Sequence, residues 1–362
     1  METLLHPRIE LESLGWDTFF ETRFTRYRDH DLIPARITTQ HKGSYLALAE
    51  VGELHAVVAG RMRYDASGQA DLPVVGDWVV VEARPDGSAT IKAIVERRTK
   101  FSRKVAGFEY DEQILAANID ATFLVSSLNA DLNPRRLERY LTMAYANGAL
   151  PVVVLTKADL CDDVATGFEQ VASVAVGAPI HVVSAITGNG LDELRPYLAR
   201  NQTVALLGSS GVGKSTLVNA LAGEELLKVQ EIREDDAKGR HTTTHRQMVL
   251  LPDGGIIIDT PGMRELQLWD ADQGLRGSFQ DIDALAMECR FRDCRHVSEP
   301  GCAVRAAVDA GDLATERLAS FKKLQRELLY LERKIDQRIA QEETRKWKVQ
   351  HKAMRRMKSP KV

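Results

Sequence analysis

The chain has little of what an exported or membrane-spanning protein needs. Its 362 residues include four cysteines, and aromatic residues make up 6% of the chain. The N-terminus shows no signal-peptide pattern, and no apolar run approaches the roughly 18 residues that suggest a membrane span. We therefore expect neither export nor a membrane, and the scarcity of cysteine indicates a reducing cytoplasm.

A charge excess of one sign is also missing, since the formal net charge is −3 at pH 7. Binding to nucleic acid must then come from local basic patches, because no global field is available. Two such patches are residues 97–104 and residues 345–362, and the second holds eight lysines and arginines and no acid. Both patches fit contact with RNA phosphates, but a linker or tail with solvated charges fits as well.

The segment 204–222 predicts a strand, a phosphate-binding loop and a helix. An apolar run at 204–207 precedes Gly-Ser-Ser-Gly-Val-Gly-Lys-Ser at 208–215. Glycines let such a loop wrap so that backbone N–H groups and the helix N-terminus point at phosphates. Lys214 is predicted to reach the β- and γ-phosphates, and the Ser215 hydroxyl to bind Mg²⁺. The predicted nucleotide contacts are Gly208, Ser209, Ser210, Gly211, Val212, Gly213, Lys214, Ser215 and Thr216.

A second phosphate motif, Asp259-Thr-Pro-Gly262, ends a predicted strand and lies 44 residues beyond Ser215. Alone it is a common turn, but after a phosphate loop at this spacing it predicts a switch. Asp259 is then expected to hold the Mg²⁺ shell, and the Gly262 N–H to contact the γ-phosphate.

Between the two motifs lies a polar threonine-rich stretch at 238–244. Such a segment is expected to become ordered when a threonine hydroxyl binds Mg²⁺ in the GTP state. Thr243 is the predicted ligand, with Thr242 as the alternative. A solvated threonine loop is the other interpretation.

A guanine-reading box, Thr156-Lys157-Ala158-Asp159, follows a predicted strand at 151–155. A carboxylate there accepts hydrogen bonds from N1–H and N2–H₂ of guanine, an edge that adenine lacks. Lys157 is expected to lie along the base and ribose. The usual first residue is asparagine, which ties the box to the phosphate loop, and Thr156 is expected to loosen that tie.

The next predicted strand ends in Ser184-Ala185, whose backbone is expected to contact the guanine O6. In ordinary GTP-binding domains the guanine box lies downstream of the phosphate loop, whereas here it lies upstream, and this order predicts a circularly permuted domain. Strands predicted at 121–126, 151–155, 180–184, 203–207, 246–251 and 255–259 alternate with helices near 134–147, 165–175 and 190–199. This alternation predicts a doubly wound, mainly parallel sheet over 105–268, with the ligand at the C-terminal ends of its strands.

The front of the chain is different. Five short strands separated by turns between 31 and 104 fit an OB-like β-barrel, the small oligonucleotide-binding fold, and other small barrels fit nearly as well. Residues 1–30 form an N-terminal extension, with an amphipathic piece around 11–24 that is expected to pack as a helix on a neighbour.

A candidate metal centre follows the switch, with the spacing Cys-x4-Cys-x-His-x5-Cys. Three thiolates and one imidazole suit tetrahedral zinc, and four protein ligands without an open position indicate a structural site. The predicted ligands are Cys289, Cys294, His296 and Cys302. Reactive thiols or a disulfide are the alternative, and Cys161 is expected to be a buried apolar cysteine.

An apolar helical stripe completes a predicted zinc-binding helical domain at 269–345, ahead of a basic tail at 346–362. Its partner is expected to be the zinc segment and the GTPase face. The residues of the stripe are Leu318, Phe321, Leu324, Leu328, Leu331, Ile335 and Ile339.

This order of barrel, permuted GTPase and zinc-helix domain resembles the RsgA (YjeQ) family of bacterial small-subunit ribosome biogenesis GTPases. The resemblance covers about residues 31–345 and is carried by the motifs at 156–159, 208–215, 239–244, 259–262 and 289–302. It implies a late assembly factor that binds the small (30S) subunit and its 16S rRNA, with hydrolysis of GTP to GDP stimulated by the subunit and coupled to release. We expect a monomer with one zinc ion and Mg²⁺-bound GTP. The departures are Thr156 and the long N-terminal extension.

The predicted catalytic set has a gap. Met263 follows the second phosphate motif, where many GTPases carry the glutamine that orients the attacking water. A thioether cannot do this, so unaided hydrolysis is expected to be slow, on the order of 10⁻⁴–10⁻³ s⁻¹. We hypothesise that His241 positions the water, with Lys214 and Thr243 completing the set. A loop histidine without a role is the alternative.

Two other classes of protein stay open at this point. A phosphate loop also occurs in metabolic and transport ATPases, but Asp159 and the Ser184-Ala185 strand end argue against one. The other class is an RNA-binding module in which the nucleotide only stabilises the fold.

Overall fold

The structure is a computed structural model, and it describes residues 9–104, 112–129, 132–227, 246–259, 272–330 and 333. Among these residues, none of the helices combines the length and the apolar character that crossing a lipid bilayer requires.

The N-terminal segment packs on the barrel, as its amphipathic pattern predicts. Helix α1 (Thr18–Phe24) begins after Asp17, whose carboxylate accepts hydrogen bonds from the N–H groups of the first turn. Short 3₁₀ segments precede and follow it, at Leu11–Leu14 and Thr25–His30. Its apolar side chains share one buried cluster with side chains of the barrel. The buried members are Leu14, Trp16, Phe20, Phe24, Trp78, Val80 and Val95.

Five strands close the predicted barrel. They are β1 (Ile33–Gln40), β2 (Tyr45–Ala49), β3 (Gly52–Val58), β4 (Trp78–Ala83) and β5 (Ser88–Ile94), with helix α2 (Gly60–Asp65) between β3 and β4. The strand order is β1-β2-β3-β5-β4, and β4 returns to pair with β1. The β3–β5 pair is parallel, and the other pairs are antiparallel. A closed five-stranded barrel of this kind confirms the predicted OB-like fold.

Part of the basic run at 97–104 forms a strand and ion pairs, and its contact with RNA stays a prediction. Its second half is strand β6 (Lys100–Lys104), which pairs with β7 (Glu112–Ala117) in an antiparallel ribbon. Three of its cations contact carboxylates of the same chain. The ion pairs are Arg97–Asp77, Arg98–Asp17 and Lys100–Glu112. The predicted domain boundary at residue 104 falls between these two paired strands, and it stays a prediction.

The nucleotide domain is the predicted doubly wound sheet. Its strands are β8 (Ala121–Ser127), β9 (Leu150–Thr156), β10 (Ile180–Val182), β11 (Thr203–Leu207), β12 (Gln247–Leu250) and β13 (Ile256–Asp259). They lie in the order β10-β9-β8-β11-β13-β12, and all the pairs are parallel except β12–β13, which forms a hairpin.

Helices cover both faces of this sheet because its strands are apolar on both sides. The helices α3 (Pro134–Ala146) and α4 (Val164–Ala172) pack on one face, and α5 (Lys214–Ala222) packs on the other. The helix expected near 190–199 is instead a 3₁₀ segment, Leu191–Leu198, with Pro196 inside it. Proline lacks the N–H that an α-helix needs at that position.

Barrel and nucleotide domain share one continuous sheet. Strand β1 of the barrel pairs with β12 at Thr39 and Gln247, so that eleven strands are joined edge to edge. The sequence predicts two separate units here, because nothing in either strand marks a partner outside its own domain.

The C-terminal part begins with α6 (Asp272–Ser278) and α7 (Gln280–Ala286), and continues with α8 (Ala303–Ala310). Helix α6 lies flush against α3, and only glycine fits at the contact. A Cβ atom on Gly274 would lie 2.0 Å from the Thr142 carbonyl oxygen.

A last helix, α9, spans the described residues 315–330. Its stripe is buried at Leu318, Leu324 and Leu328, in a cluster that also holds Cys302 and side chains of α3. This confirms the predicted partner of the stripe. Leu331, Ile335 and Ile339 lie outside the described residues, as does the basic tail.

A buried charge network connects this part to the nucleotide domain. The Arg317 guanidinium donates two hydrogen bonds to the Asp281 carboxylate, at 2.7 and 2.8 Å, and one to Glu138 on α3, at 2.9 Å. Glu138 has no exposed surface, and it also accepts hydrogen bonds from Arg135 and Ser320. Charges are this deeply buried only when they are paired.

Candidate nucleotide site and metal centre

The predicted nucleotide residues meet at one edge of the sheet. Parallel strands end at a common edge, and the loops that follow them build ligand sites there. The phosphate loop follows β11, the guanine box follows β9, and Ser184 comes soon after β10. Asp259 is the last residue of β13, which is the neighbour of β11. The fold thus brings together four segments that are scattered over about a hundred residues of sequence.

The phosphate loop depends on two of its glycines. A Cβ atom on Gly208 would lie 2.3 Å from the Val125 carbonyl oxygen of the adjacent strand β8. Gly213 has a φ of 95° and caps the N-terminus of α5, a conformation that residues with a side chain rarely adopt. The glycine spacing therefore reflects close packing at one end of the loop and a left-handed turn at the other.

Lys214 in the phosphate loop and Asp259 at the end of β13 carry the charges of this site. The Lys214 ammonium donates hydrogen bonds to the carbonyl oxygens of Gly208 and Ser209, at 2.7 and 2.6 Å. Burial raises the pKa of Asp259, and the nearby Lys214 charge opposes that rise. The two groups suit a Mg²⁺-bound triphosphate, because the cation would face the phosphates and the carboxylate would face the metal ion.

Thr156 links the guanine box to the phosphate loop. From the sequence, we expected this residue to loosen the link. Its buried hydroxyl donates a hydrogen bond of 2.5 Å to the Val212 carbonyl oxygen inside the loop. A threonine hydroxyl is a donor, as the amide of asparagine is. The substitution therefore changes the group that makes the link without removing the link.

Asp159 is oriented from the neighbouring strand. Its carboxylate accepts a 2.6 Å hydrogen bond from the Ser184 hydroxyl, which in turn accepts one from the Thr187 N–H. Asp159 itself is exposed, so its remaining acceptor positions are open to a ligand. The sequence predicts a role for the backbone at Ser184 and Ala185, but it does not reveal this side-chain contact.

The sequence motifs did not identify two exposed apolar side chains beside the residues predicted to read the base. Leu160 follows Asp159 and is 72% exposed, and Ile186 follows Ala185 and is 76% exposed. Large aliphatic groups in this position offer a surface to a flat ligand. The available signal was an apolar residue immediately after each motif.

Several predicted residues lie outside the described part of the chain. They are Gly262, His241, Thr242, Thr243 and Met263. Their roles stay predictions.

The four predicted zinc ligands come together, with donor atoms that all lie within 4.8 Å of one another. The Cys289 and Cys302 sulfurs are 3.9 Å apart, and the His296 Nδ1 lies 3.6 and 3.4 Å from them. A tetrahedron with Zn–S of about 2.3 Å and Zn–N of about 2.0 Å requires edges of about 3.8 and 3.5 Å. The donor set therefore fits zinc, whereas a disulfide needs sulfurs about 2 Å apart.

The surroundings prepare these groups for a metal. Burial, followed by the charge of Lys322, lowers the pKa of His296 and so favours the neutral imidazole that binds metals. Burial and the neighbouring thiols raise the pKa of Cys294 to about 11. A bound divalent cation reverses this effect, because a coordinating thiol is deprotonated.

Glu299 fixes the loop between the last two ligands. Its carboxylate accepts hydrogen bonds from three backbone N–H groups within the four preceding residues, at 2.8 to 3.0 Å. A hydrogen bond from its own backbone N–H, followed by those from the three neighbouring groups, lowers the pKa of Glu299 to about 2. The donors are Arg295, Val297 and Ser298.

Comparison with known proteins agrees with this geometry. The family profile described as RsgA GTPase matches residues 94–269. A Lactiplantibacillus plantarum protein named small ribosomal subunit biogenesis GTPase RsgA 2 is 51% identical over 89% of this chain and 90% of its own length. The chain belongs to the RsgA GTPase family. A relative from Opitutus terrae, named small ribosomal subunit biogenesis GTPase RsgA, is 46% identical over 93% of this chain and 95% of its own.

Solved structures show the same RsgA fold. YjeQ from Thermotoga maritima superposes with a TM-score of 0.62 at 26% identity, over 82% of this chain and 99% of that protein. YloQ, described as a circularly permuted GTPase, superposes with a TM-score of 0.60 at 23% identity, over 83% and 96% of the two chains. The second likeness confirms the permuted strand order deduced from the sequence.

Proposed function

We propose that this protein is a cytoplasmic GTPase that binds the small (30S) ribosomal subunit and assists its late maturation, with GTP hydrolysis stimulated by the subunit and coupled to release. The observation that carries the nucleotide part is the junction of the guanine box and the phosphate loop through Thr156 and Val212. The ribosomal part is supported by the names of relatives that match nearly the full length of the chain.

In this proposal each motif has one task in binding Mg²⁺-bound GTP. Asp159, held by Ser184, reads the guanine edge, and Lys157 lies along the base. Backbone N–H groups of the phosphate loop and the Lys214 ammonium stabilise the charge on the β- and γ-phosphates. The hydroxyl of Ser215 and the carboxylate of Asp259, with Thr243, hold the metal ion, which neutralises charge on the leaving group.

The water-positioning step is assigned to His241, because Met263 cannot orient water. Gly262 is assigned the contact with the γ-phosphate. If His241→Ala hydrolyses GTP at the wild-type rate in the presence of small subunits, this assignment is wrong.

The metal centre is proposed to hold one structural zinc ion. All four of its donors come from the protein, which leaves no position for a substrate. Together with the barrel, this part of the chain is proposed to contact 16S rRNA as a monomer.

The test is hydrolysis of GTP by the purified protein, alone and with small ribosomal subunits, with ATP as the control nucleotide. A rise in rate that is specific to GTP and to small subunits is expected. An equal rate with and without subunits would leave the protein as a nucleotide-stabilised binding module.

Asp159→Asn tests the base reading directly. An amide cannot accept both guanine hydrogen bonds, so kcat/KM for GTP should fall by about 10²-fold or more. Xanthosine triphosphate should become the better substrate, because its C2 carbonyl accepts a hydrogen bond from the new amide. Asp162→Asn, three residues away and exposed, is the matched control and should behave as wild type.

A further inference from the structure

A buried arginine stands where four segments of the chain meet. Arg36 lies on β1, is 1% exposed, and donates hydrogen bonds to acceptors in the N-terminal segment, the barrel, the β7–β8 connection and β11. The partners are the carbonyl oxygens of Leu14, Gly76 and Asn118, and the hydroxyl of Thr203 at 2.9 Å. No described carboxylate forms an ion pair with this guanidinium.

Because Arg36 is charged and buried, its four hydrogen bonds depend on one another. Burial lowers the pKa of Arg36 to about 10, so the side chain is still protonated at neutral pH. The hydrogen-bond acceptors of this buried cation are all neutral, while the nearby charges of Asp120 and Asp77 favour its protonated form. Charge-assisted hydrogen bonds are among the strongest in proteins, so the cation depends on its acceptors. Movement of any one segment therefore weakens the contacts of the others.

One contacted element, β11, and the strand that carries Arg36, β1, both lead to the nucleotide site. Thr203 is the first residue of β11, and the phosphate loop begins immediately after β11 ends. Further along β1, Thr39 is paired with Gln247, which is itself paired with Asp259. Strand β1 therefore contacts β11, which leads into the phosphate loop, through the side chain of Arg36. It also pairs with β12, the neighbour of β13, which carries Asp259.

The junction is closely packed around Gly76, whereas a cavity of about 250 Å³ lies on its other side, lined in part by Arg36, Asn118 and Thr203, and is bridged there by the hydrogen bonds of Arg36. A Cβ atom on Gly76 would lie 2.2 Å from the Ala117 carbonyl oxygen and 2.9 Å from Cδ1 of Ile258 on β13. Tightly packed contacts transmit displacement, because packed interiors have low compressibility.

We infer that Arg36 is a positioning residue that couples the barrel to the phosphate loop through its hydrogen bond to Thr203. In this arrangement, binding of the small subunit at the barrel shifts β1, and the Arg36–Thr203 contact passes that shift to β11. The inference rests on the proposed function, which supplies the stimulus.

The test removes the Thr203 hydroxyl alone. Thr203→Val preserves shape and burial but gives Arg36 no acceptor on β11. Thr122→Val is the matched control, because Thr122 is fully buried on the neighbouring strand β8 and its hydroxyl has no hydrogen-bond partner among the described residues. Each variant is assayed for basal hydrolysis, for hydrolysis with saturating small subunits, and for subunit affinity.

We expect Thr203→Val to retain basal hydrolysis and to lose about tenfold in the subunit-stimulated rate, equivalent to about 1.4 kcal/mol of coupling. Thr122→Val should keep full stimulation, and Thr203→Ser, which retains a hydroxyl, should restore most of it. A merely structural role would lower the basal and stimulated rates together.

Equal stimulation of Thr203→Val and Thr122→Val would overturn the inference, and so would a fall in the basal rate of Thr203→Val that matches the fall in its stimulated rate. Absence of stimulation in the wild-type protein would instead refute the proposed function. The two failures are therefore distinguishable within one experiment.

Discussion

Replacing Arg317 with methionine should weaken the packing of the C-terminal helices on the nucleotide domain. Methionine keeps the apolar stem but removes the guanidinium, which bridges Asp281 and Glu138 and lies 4.4 Å from the centre of the Phe279 ring. Breaking a buried ion pair by removal of one partner costs about 3–5 kcal/mol.

The contacts that survive place the expected cost near the lower end of that range. Glu138 would still be paired with Arg135 at 2.8 Å and would still accept the Ser320 hydroxyl hydrogen bond. Asp281, whose side chain is 27% exposed, would be hydrated instead. We therefore expect a loss of about 3 kcal/mol in the stability of this junction.

Hydrogen exchange read by mass spectrometry is the suitable assay, because it reports local opening without requiring the whole chain to unfold in one step. Amides of α8 and α9 should exchange about 100-fold faster in Arg317→Met, since each 1.4 kcal/mol is about a factor of ten. Arg317→Lys should fall between, because an ammonium cannot form the two-pronged contact with Asp281. The control is Arg326→Met on α9, where the side chain is exposed and donates to a backbone carbonyl of its own helix. A loss below about 1 kcal/mol, or one equal to that of the control, would refute the reasoning.

Two further predictions concern the metal centre and the nucleotide site. Cys302→Ser should abolish stoichiometric zinc, measured by atomic emission, and expose α7 and α8 to proteolysis; full zinc content in this variant would show that the four side chains are not the ligand set. Thr156→Val should lower GTP affinity about tenfold in a fluorescent-nucleotide titration, because the buried Val212 carbonyl loses its donor at a cost of about 1–3 kcal/mol. The exposed Thr166→Val is its control, and equal affinities of the two variants would mean that the link does not shape the phosphate loop.

Features set by local pattern were predictable from the sequence. Apolar strands followed by glycine-rich or polar motifs have their own signature, so the strand order, the phosphate loop and the guanine box follow from short segments. The candidate metal-ligand set follows from spacing and ligand chemistry, and the structure brings its four side chains together.

Features set by distant contacts were not predictable. Arg36 lies between apolar residues of a strand, and two of its acceptors are 82 and 167 residues away in sequence. No window of the sequence reveals such partners, so a lone arginine in a strand suggests a solvent-facing position. The ion pairs of the basic run at 97–104 were not predictable for the same reason, because the carboxylate partners come from other segments.

The pairing of β1 with β12 has a consequence for how the chain is made. The barrel is complete at Ile94, whereas β12 begins at Gln247. About 150 residues are therefore synthesised before β12 is available to pair with β1. At about 5–20 residues per second, that interval is roughly 8–30 s. During this interval the end of β1 around Thr39, beyond the residues that pair with β4, has one unpaired edge next to a nascent chain, and unpaired strand edges are prone to incorrect pairing. Permutation of the nucleotide domain thus moves the last strands of the sheet, and with them the protection of that edge, to a late stage of translation.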